Sequence, residues 1–515
     1  MDSKLATKVY SILPERDAFV AIAFASFLIY YVTTTFLAWR RLRHFPGPPT
    51  ASISYLWAFL SVIRGRCDTA IVSAQKKYGK AVRISPNGIM IYDPETFWQI
   101  NSARSAYGRS GWYGSAKLHP EGDSVLSEMD TARHDKRKAN LVGGFSGKRL
   151  ASLEASVDDR LASLVNYIRR KVRDVPGNRV KLNFSKIIRW WQLDLVTLVA
   201  FGVPWGDLAD ETDHYTFLSA MDSALPFIHS VSMVPFLRML VFSKFVLWLA
   251  APKVTDKEGM GRSIREMRET VDSHFENPNE TKPGQKHPDM LGEWIAKGHD
   301  KKSCELDLAI LMPAGTETSV TVIRGVLLHI LSSPTVYQQL KQDIADGIKD
   351  GRISRPITNG QAKAMPYLQA VINEGMRMTP PVINGFAKKV PPGGDTICGK
   401  FVPEGTEIHA NYVSMLNNPE VFGDDSDLFR PERFLECDKE RRSYMLKTVD
   451  LAFGYGRWLC LGKPLAVIEL NKIFVELLRA FDFQICNAEN PWRRKVYSAS
   501  VMPQFDLRFW ENSLD

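Results

Sequence analysis

The spacing of hydrophobic positions divides the chain into a long helical block and shorter segments typical of strands. Between about residues 125 and 380, apolar side chains recur every three or four positions, as on one face of an α-helix. The clearest helical segments are Leu150–Val172, Trp190–Phe201 and Glu305–Leu331. The runs typical of strands are Ala81–Arg83, Gly88–Tyr92 and Lys400–Ile408. The pattern therefore predicts a mainly α fold with a minor β portion.

The chain gives no sign of a division into several domains. No linker rich in glycine and serine separates its parts, and no unit of roughly 20–50 residues repeats. Asn277–Lys302 is polar and contains three prolines, and we interpret it as a surface loop rather than a domain boundary. We expect one large domain.

An uncharged segment near the amino terminus has the length of a membrane span. Residues 18–39 contain no charge over 22 positions, and a helix of that length measures about 33 Å, enough for a hydrocarbon core of about 30 Å. A cleaved signal peptide usually has a shorter apolar region of about 7–15 residues, whereas this run ends in three arginines within residues 40–43. We interpret it as a retained anchor whose arginine-rich end faces the cytoplasm.

The sequence around the anchor completes the predicted organisation. Residues 1–17 form a luminal segment, and residues 40–50 form a basic hinge whose prolines stop the helix. Residues 51–515 form the large domain. A second apolar stretch, Leu225–Pro252, has three interpretations: a second membrane span, a pair of buried helices, or a surface that dips into the bilayer beside the anchor.

Composition and charge exclude several classes of protein. The 515 residues are 45% hydrophobic and 24% charged, which excludes a disordered chain and a collagen. The net charge of +9 is spread along the chain, so it favours an anionic membrane surface or an acidic protein partner over nucleic acid. Six cysteines, none in a Cys-x-x-Cys pair, indicate free thiols in a reducing compartment rather than a disulfide framework.

The most informative segment is a glycine-rich loop around Cys460. It runs Phe453-Gly-Tyr-Gly-Arg-Trp-Leu-Cys-Leu-Gly462, and helix-forming residues begin shortly after it. Glycines allow a tight loop and the close approach of a flat group, while amides at a helix amino terminus stabilise a thiolate. A thiolate is also the soft axial ligand with which haem iron cleaves dioxygen. A buried structural cysteine beside a turn is the alternative interpretation.

This loop resembles the haem-binding signature of the cytochrome P-450 monooxygenases. The matching positions are Phe453, Gly454, Gly456, Cys460 and Gly462. The family usually has a basic residue two positions before the cysteine, where this chain has Trp458, with Arg457 one position earlier. The resemblance implies that Cys460 is the iron ligand and that Arg457 reaches a haem propionate by a different path.

A second motif resembles the oxygen-binding segment of the family's long central helix. Residues 314–319 read Ala-Gly-Thr-Glu-Thr-Ser. The resemblance implies that Thr318 contacts dioxygen and that Glu317 helps protons reach it, which suits a hydroxyl next to a carboxyl group. The small residues Ala314 and Gly315 leave room for the haem.

Two more motifs follow in the family's order. Glu374 and Arg377 match its Glu-x-x-Arg pattern, and Phe429–Phe434 matches the segment that supplies a second arginine, Arg433. The resemblance implies a buried triad of these three charged side chains. Its role is structural, since it fixes the region that carries the cysteine loop.

A basic run, Met129–Lys138, has two interpretations. It is either a solvated helix face or the equivalent of the family's propionate-binding helix, with His134 and Arg137 or Lys138 turned towards the haem. Lys388 is a further candidate for a propionate contact. The same basic surface suits an acidic electron donor.

The sequence of residues 390–394 and 454–457 is most similar to that of filamentous-fungal members of the pisatin-demethylase type. The resemblance implies a cytochrome P-450 fold that binds haem b, an iron protoporphyrin IX with a thiolate ligand. It implies an endoplasmic reticulum protein that crosses the membrane once, with its catalytic domain in the cytoplasm. Electrons then come from NADPH through NADPH–cytochrome P-450 reductase, with cytochrome b5 as a further candidate partner.

The implied reaction inserts one atom of dioxygen into a lipophilic small molecule, such as a terpenoid or alkaloid of fungal secondary metabolism. By their position in the family, the candidate substrate contacts are Gly108–Leu118, residues 225–250, Leu311, Pro381–Asn384 and Ser500–Met502. Three alternatives stay open. They are a haem-thiolate isomerase or dehydratase, a non-catalytic haem-binding protein, and a helical membrane scaffold without a cofactor.

Overall fold

The computed structural model describes residues 3–117, 122–146, 150–277 and 288–512. Leu118 of the predicted substrate loop and residues 278–287 of the predicted surface loop lie outside these ranges. The helices are α1 Ser3–Leu42, α2 Pro49–Ile53, α3 Leu56–Ile63, α4 Cys67–Tyr78, α5 Pro94–Asn101, α6 Thr131–Leu141, α7 Leu150–Arg173, α8 Phe184–Phe201, α9 Asp207–Asp210, α10 Phe217–Ser232, α11 Pro235–Val241, α12 Lys244–Ala250, α13 Gly259–Glu276, α14 Met290–Ala296, α15 Lys301–Ser332, α16 Pro334–Lys349, α17 Asn359–Lys363, α18 Pro366–Met378, α19 Tyr412–Leu416, α20 Pro419–Phe422, α21 Lys439–Val449 and α22 Lys463–Ala480.

Eleven short strands in the described residues form three small sheets. The strands are β1 Ala81–Ser85, β2 Gly88–Ile91, β3 Gly108–Arg109, β4 Val180–Asn183, β5 Lys388–Lys389, β6 Asp395–Ile397, β7 Lys400–Val402, β8 Glu407–Ala410, β9 Phe481–Ile485, β10 Trp492–Val496 and β11 Ser500–Glu511. The largest sheet has the order β1-β2-β8-β5-β3, and in it β2 and β8 are parallel. A second sheet joins β10, β11, β4 and β9, and β6 pairs with β7.

The central helix of the core is α15. It packs against α8, α13, α18 and α22. Its residues 319–328 are all buried, because partners cover this part of the helix on every side rather than along one stripe. By length and composition alone, α15 could cross a membrane, but 56% of its most apolar stretch is buried in the protein. It is therefore a core helix.

The predicted fold class and most of the predicted elements are confirmed, but the predicted run Lys400–Ile408 is divided by a turn into two strands, β7 and β8. The protein is mainly helical with a small β portion, and the three predicted helices correspond to α7, α8 and α15, with α8 beginning six residues earlier than expected at Phe184. The predicted surface loop at Asn277–Lys302 is wrong in part, because α14 lies inside it and buries Trp294 at 1% exposure. A helix of seven residues is too short to show its period in a polar segment.

The apolar stretch from Leu225 to Pro252 is a set of surface helices. It contains the end of α10 and the short helices α11 and α12. Large apolar side chains on them are exposed, including Phe236 at 51%, Phe245 at 69% and Trp248 at 69%. A buried helix pair is therefore wrong, and helices of seven residues are too short for a second membrane span.

Helix α1 contains the whole uncharged segment 18–39. The large apolar side chains that the structure describes on it, from Ile22 to Leu37, are mostly exposed. Phe27 of α1 lies 5.7 Å from Phe236 of α11, measured between ring centres. The predicted anchor and the exposed helices α11 and α12 therefore share one side of the molecule, and the anchor itself stays a prediction.

Candidate active site

A large cavity lies between α15 and the loop that carries Cys460. Its volume is about 330 Å³, which lies within the roughly 300–1,000 Å³ of ordinary small-molecule sites. Its walls come from α6, α8, α15, α22 and the segments around residues 381–388 and 452–462. A ligand in this cavity would therefore contact both the central helix and the cysteine loop.

Two glycines with left-handed backbone angles fold the loop before Cys460. Gly454 has a φ of 80° and Gly456 a φ of 59°, a conformation that strains residues with a side chain. A Cβ atom at position 454 would also lie 2.7 Å from the carbonyl oxygen of Trp458. The Cys460 amide donates to the carbonyl oxygen of Phe453 at 2.7 Å and closes the loop. The two glycines that precede the cysteine are thus required by the backbone.

The sulfur of Cys460 faces the cavity just before α22. Burial raises the pKa of this thiol, whereas the backbone N–H groups of Gly462 and Lys463 and the ammonium groups of Lys138 and Lys463 lower it. All six cysteines are free of disulfide bonds, and Cys460 is the one that lines the cavity. Because donors and cations near a sulfur stabilise its thiolate form, this cysteine is suited to bind a metal ion.

Three basic side chains surround Trp458 at one edge of the cavity: Arg109, Lys138 and Lys388. The Lys388 ammonium lies 3.7 Å from the centre of the indole ring, and the guanidinium carbon of Arg109 lies 4.9 Å from it. Lys138 donates to two carbonyl groups of the cysteine loop at 2.7 and 2.5 Å. Burial, and then repulsion from nearby cations, holds the pKa of Lys388 well below its usual value. This edge of the cavity is positively charged.

These residues fit a group with carboxylates, as haem has. In the described part of the chain, the three cations contact carbonyl and hydroxyl oxygens rather than carboxylates. The buried indole N–H of Trp458 has no hydrogen-bond partner among the described residues. A cluster of cations with a free buried donor favours an anionic ligand. The edge therefore suits haem propionates, and the sulfur of Cys460 suits the iron.

His134 belongs to this edge of the cavity, and Arg137 does not. The His134 ring lies 4.9 Å from the Trp458 ring, and burial, with Arg109 nearby, lowers its pKa to about 4. Arg137 turns instead to the buried carboxylate of Asp307, to which it donates at 2.7 Å. Of the two candidates on α6, the structure supports Lys138 and does not support Arg137.

Arg457 also turns away from the cavity. Its guanidinium donates to the carbonyl oxygen of Ala103 and lies 3.8 Å from the Asp135 carboxylate. Arg457 is not among the residues that line the cavity. The expectation that Arg457 replaces the usual basic residue at a propionate is therefore not supported, because its side chain holds a neighbouring loop instead.

The central helix forms the opposite wall. Ala314, Gly315 and Thr318 line the cavity, and the Thr318 hydroxyl donates to the carbonyl oxygen of Ala314 at 2.6 Å. A Cβ atom at Gly315 would lie 3.0 Å from Val196 of α8, so a small residue lets the two helices approach closely. Glu317 is not part of this wall; it accepts a hydrogen bond from Arg189 at 2.5 Å.

The three charged residues of the predicted triad lie together in the core. Arg377 makes two hydrogen bonds of 2.8 Å to the Glu374 carboxylate, and Arg433 adds a third at 2.9 Å. None of the three is more than 3% exposed. The triad joins α18 to the segment that precedes the cysteine loop, as the family resemblance implies.

Sequence reasoning missed several residues around the cavity. Arg109 and Tyr113 lie within the predicted substrate segment, but nothing in the sequence placed them at the propionate edge, where the Tyr113 hydroxyl accepts a hydrogen bond from Lys388 at 2.7 Å. Arg189 reaches Glu317 from 128 residues away, so no local pattern could reveal the pair. Glu469 of α22 lines the cavity and has no motif that marks it.

Some of the candidate substrate contacts line the cavity, and others do not. Among them, Tyr113, Leu311, Pro381 and Val382 line the cavity. Asn384 instead donates to the Cys67 sulfur at 3.0 Å. Neither residues 225–250 nor residues 500–502 are part of the cavity wall.

Comparison with known proteins identifies the family. The model of the family "Cytochrome P450" matches residues 46–506. Cytochrome P450 monooxygenase ABA1 from Pyricularia oryzae is 38% identical over 478 residues, which cover 91% of this chain and 92% of the relative. Cytochrome P450 monooxygenase aba1 from Botryotinia fuckeliana is 37% identical over 453 residues, 87% of this chain and 88% of the relative. Pisatin demethylase from Fusarium vanettenii is 25% identical over 490 residues, 93% and 91% of the two chains. The chain therefore belongs to the cytochrome P450 family of haem-thiolate monooxygenases.

Proposed function

We propose that this protein is a membrane-anchored monooxygenase that transfers one atom of dioxygen to a lipophilic small molecule. The reaction consumes substrate, dioxygen, two protons and two electrons, and it yields the oxidised product and one water. The observation that carries the proposal is the placement of Cys460, which lines a cavity opposite the central helix and lies beside the N–H groups of Gly462 and Lys463. Haem iron with such a ligand supplies the activation of dioxygen.

The protein contacts the cofactor at its iron and at its propionates. Cys460 binds the iron, and the glycine loop from Phe453 to Gly462 lets the backbone lie close to the ring. Arg109, Lys138 and Lys388 neutralise the propionates, and the Trp458 N–H donates a hydrogen bond to one of them. The unpaired donor and the excess of cations at this edge support these roles.

Thr318 and Glu317 supply protons to the side of the cavity where the substrate binds. The Thr318 hydroxyl faces the cavity and is held by the Ala314 carbonyl, so it can donate to an oxygen atom and accept from water. Glu317, the preceding residue, is the next proton carrier, since a positioned carboxyl group can act as a general acid or base.

Electrons come from NADPH through NADPH–cytochrome P-450 reductase, with cytochrome b5 as a second donor. The net charge of +9 suits an acidic redox partner. The substrate is lipophilic, because the wall around Thr318 consists mainly of apolar and aromatic side chains, such as Leu126, Leu311, Val382 and Phe386. The fungal relatives favour a substrate of secondary metabolism, and we propose a terpenoid or alkaloid.

Residues 18–39 anchor the protein in the endoplasmic reticulum membrane, with the catalytic domain in the cytoplasm. The support is the single helix α1 that contains this segment, and the arginines that follow it. Exposed apolar side chains on α11 and α12 lie on the same side of the molecule as α1. They would rest in the bilayer surface and place the cavity near dissolved lipophilic molecules.

Oxygen-18 labelling tests the proposal. The full-length protein, reconstituted with the reductase and NADPH, should convert a component of a fungal extract into a product that carries one labelled atom. Thr318→Ala should lower the product formed per NADPH consumed, while Thr396→Ala, at an exposed position on β6, should not. Unlabelled product formed without NADPH would contradict the proposal and indicate an isomerase or dehydratase.

A further inference from the structure

An irregular loop brings two apolar side chains to the cavity. The loop consists of residues 122–130, between β3 and α6, and its Val125 and Leu126 line the cavity. Within it, the Glu128 amide donates to the Ser124 carbonyl oxygen at 3.0 Å and closes one turn. A segment without a helix or strand ladder depends on other elements for its remaining main-chain hydrogen bonds. The position of this part of the wall is therefore decided by what holds the loop.

Asp307 of the central helix α15 holds the middle of the loop. Its Oδ1 atom accepts a hydrogen bond from the Val125 amide at 2.7 Å, and its Oδ2 atom accepts one from Arg137 Nε at 2.7 Å. His299 Nε2 lies 3.0 Å from the same Oδ2 atom. The Asp307 side chain is only 1% exposed, so water competes little for either oxygen. Hydrogen bonds to a charged group are stronger than those between neutral groups, which makes this carboxylate a firm attachment point.

Two arginines hold the carbonyl groups of the same loop. Arg137, besides its bond to Asp307, donates from Nη1 to the Asp123 carbonyl oxygen at 2.6 Å and from Nη2 to that of Ser303 on α15 at 3.1 Å. Arg109 Nη1 donates to three further carbonyl oxygens, those of Val125, Leu126 and Glu128, at 3.0, 2.8 and 2.7 Å. Side chains from α6, α15 and β3 thus converge on one loop.

The loop also packs closely on α15 beside this carboxylate. A Cβ atom at Gly122 would lie 2.6 Å from the Leu306 side chain, which precedes Asp307. Leu311 lies four residues after Asp307, on the same face of the helix, and it too lines the cavity. The carboxylate of Asp307 therefore sets the distance between two apolar parts of the wall, one on the loop and one on α15.

We propose that Asp307 and Arg137 are positioning residues for the substrate. Through the loop 122–130 they press Val125 and Leu126 against the lipophilic molecule, and so determine which molecules fit and how they are oriented. The inference rests on the proposed function, since it requires a substrate in this cavity. It also gives a role to Arg137, which the sequence singles out but the propionate edge does not use.

The binding test compares two ligands of haem iron in the holoenzyme, by titration of its absorption spectrum. Imidazole is small and needs no cavity wall, whereas clotrimazole adds three aromatic rings to the imidazole and needs one. A hydrogen bond to a charged group contributes a factor of about 10 or more to an equilibrium constant. The dissociation constant of clotrimazole should therefore rise about 10-fold in Asp307→Ala and in Arg137→Met, and less in Arg137→Lys, while that of imidazole stays unchanged.

The matched control is Asp482→Ala. This aspartate also forms an ion pair, with Lys341 at 2.8 Å, and its side chain is 29% exposed. It is not among the residues that line the cavity, so the variant should bind both ligands as the wild type does. If Asp307→Ala and Arg137→Met keep the wild-type affinity for clotrimazole, or lose affinity for imidazole to the same extent, the positioning role is overturned.

Hydrogen exchange gives a second, independent test. In the wild-type holoenzyme the Val125 amide should exchange slowly, because it is bonded to a buried carboxylate. Asp307→Ala should speed this exchange at least about 10-fold, and Asp482→Ala should not change it. An amide that exchanges in the wild type as fast as an unprotected one would overturn the proposal. That measurement uses the wild type, so it decides the question even if Asp307→Ala fails to fold.

The outcomes separate this inference from the proposed function. If the wild type forms no product that needs NADPH and dioxygen, the proposed function fails, whatever the loop does. If the wild type turns over, Asp307→Ala and Arg137→Met should release additional oxygenated isomers of the product and show a higher KM. A wild-type product pattern and KM in both variants would mean that the loop does not orient the substrate, while the function stands.

Discussion

Trp458 occupies a position at which the family usually has a basic residue, and its surroundings show how the change is compensated. The cations at the propionate edge come from other parts of the chain, Arg109 from β3 and Lys388 from β5, and both stack on the indole ring. An aromatic ring with cations close to its face gains cation–π attraction. Its N–H group has no partner among the described residues, so the indole can donate a hydrogen bond where the family usually contributes a charge.

Trp458→Phe tests this role, because it keeps an aromatic face for the cations and removes the N–H donor together with part of the ring. A hydrogen bond to a charged group contributes about 1.5–3 kcal/mol, so haem should leave the variant about 10-fold faster or more. The measurement is the rate of haem transfer to excess apomyoglobin. Trp248→Phe, on a side chain that is 69% exposed on α12, is the control. Equal rates for both variants would refute a donor role for Trp458.

At the scale of single residues, the sequence predicts identities better than orientations. Cys460 could be singled out because glycine spacing and a following helix are local features. Arg457 could not be oriented from the sequence, since its partner carbonyl at Ala103 comes from a distant segment. Arg137 and Lys138 are neighbours on α6, and only the position of Asp307 decides which of them turns from the cavity.

The triad of Glu374, Arg377 and Arg433 is the clearest case of elements joined by charge. Arg377→Met removes one cation and leaves the Glu374 carboxylate partly unpaired in the core, which costs roughly 3–5 kcal/mol. Arg352→Met breaks a pair whose side chains are 61% and 55% exposed, which costs less than about 1 kcal/mol. Urea unfolding of the two variants measures the difference. Similar losses would mean that the triad does not stabilise the fold.

Glu469 makes the packing of α22 on α8 and α15 dependent on pH. Burial raises its pKa to about 7, and hydrogen bonds with Ser319 and Gln192 offset only part of the effect. The folded protein therefore retains a proton that the unfolded chain, with a pKa of 4.5, releases. Because the folded state binds more protons between pH 4.5 and 7, the free energy of unfolding falls as pH rises through this window.

Glu469→Gln should remove this pH dependence, since glutamine is a neutral isostere. The variant should match the wild type near pH 4.5 and exceed its stability by about 3 kcal/mol above pH 7. Thermal unfolding at several pH values measures the gap. A constant difference across the range would show that the carboxyl group does not titrate in the fold.

At the scale of elements, the local hydrophobic pattern predicts the long helices. It does not predict features that depend on contacts with other elements of the fold. Helices α7, α8 and α15 are long enough for their period to be visible in the sequence. The seven residues of α14 are not. The parallel pairing of β2 with β8 joins segments from opposite ends of the chain, and no local signal specifies it. The exposure of α11 and α12 likewise depends on which surface the rest of the fold leaves open.

The whole molecule presents an apolar side that consists of α1, α11 and α12. Contiguous exposed apolar surface on one side is unusual for a protein surrounded by water. The exposed side chains of α12 include Phe245, Trp248 and Leu249, at 69%, 69% and 60%. Together with the uncharged segment of α1, they support the membrane contact proposed above.

Vesicle binding tests this surface separately from the anchor. A protein that lacks residues 1–44 should still bind lipid vesicles. Replacing Phe245, Trp248 and Leu249 by serine should weaken that binding at least about 10-fold, because burial of each side chain contributes up to about 1.5–3 kcal/mol. Leu428→Ser, at an apolar side chain that is 58% exposed outside these helices, should have no effect. Unchanged binding by the triple variant would exclude α12 from the membrane contact.

The bond between Cys460 and haem iron is the central claim, and the spectrum of the reduced carbon-monoxide adduct tests it most directly. The wild type and Cys398→Ser, whose cysteine is exposed at the surface, should both show the red-shifted absorption of a thiolate ligand. Cys460→Ser should lose that absorption, whether the variant still binds haem or has released it. If Cys460→Ser retains the thiolate-type absorption, another ligand holds the iron and the account is contradicted.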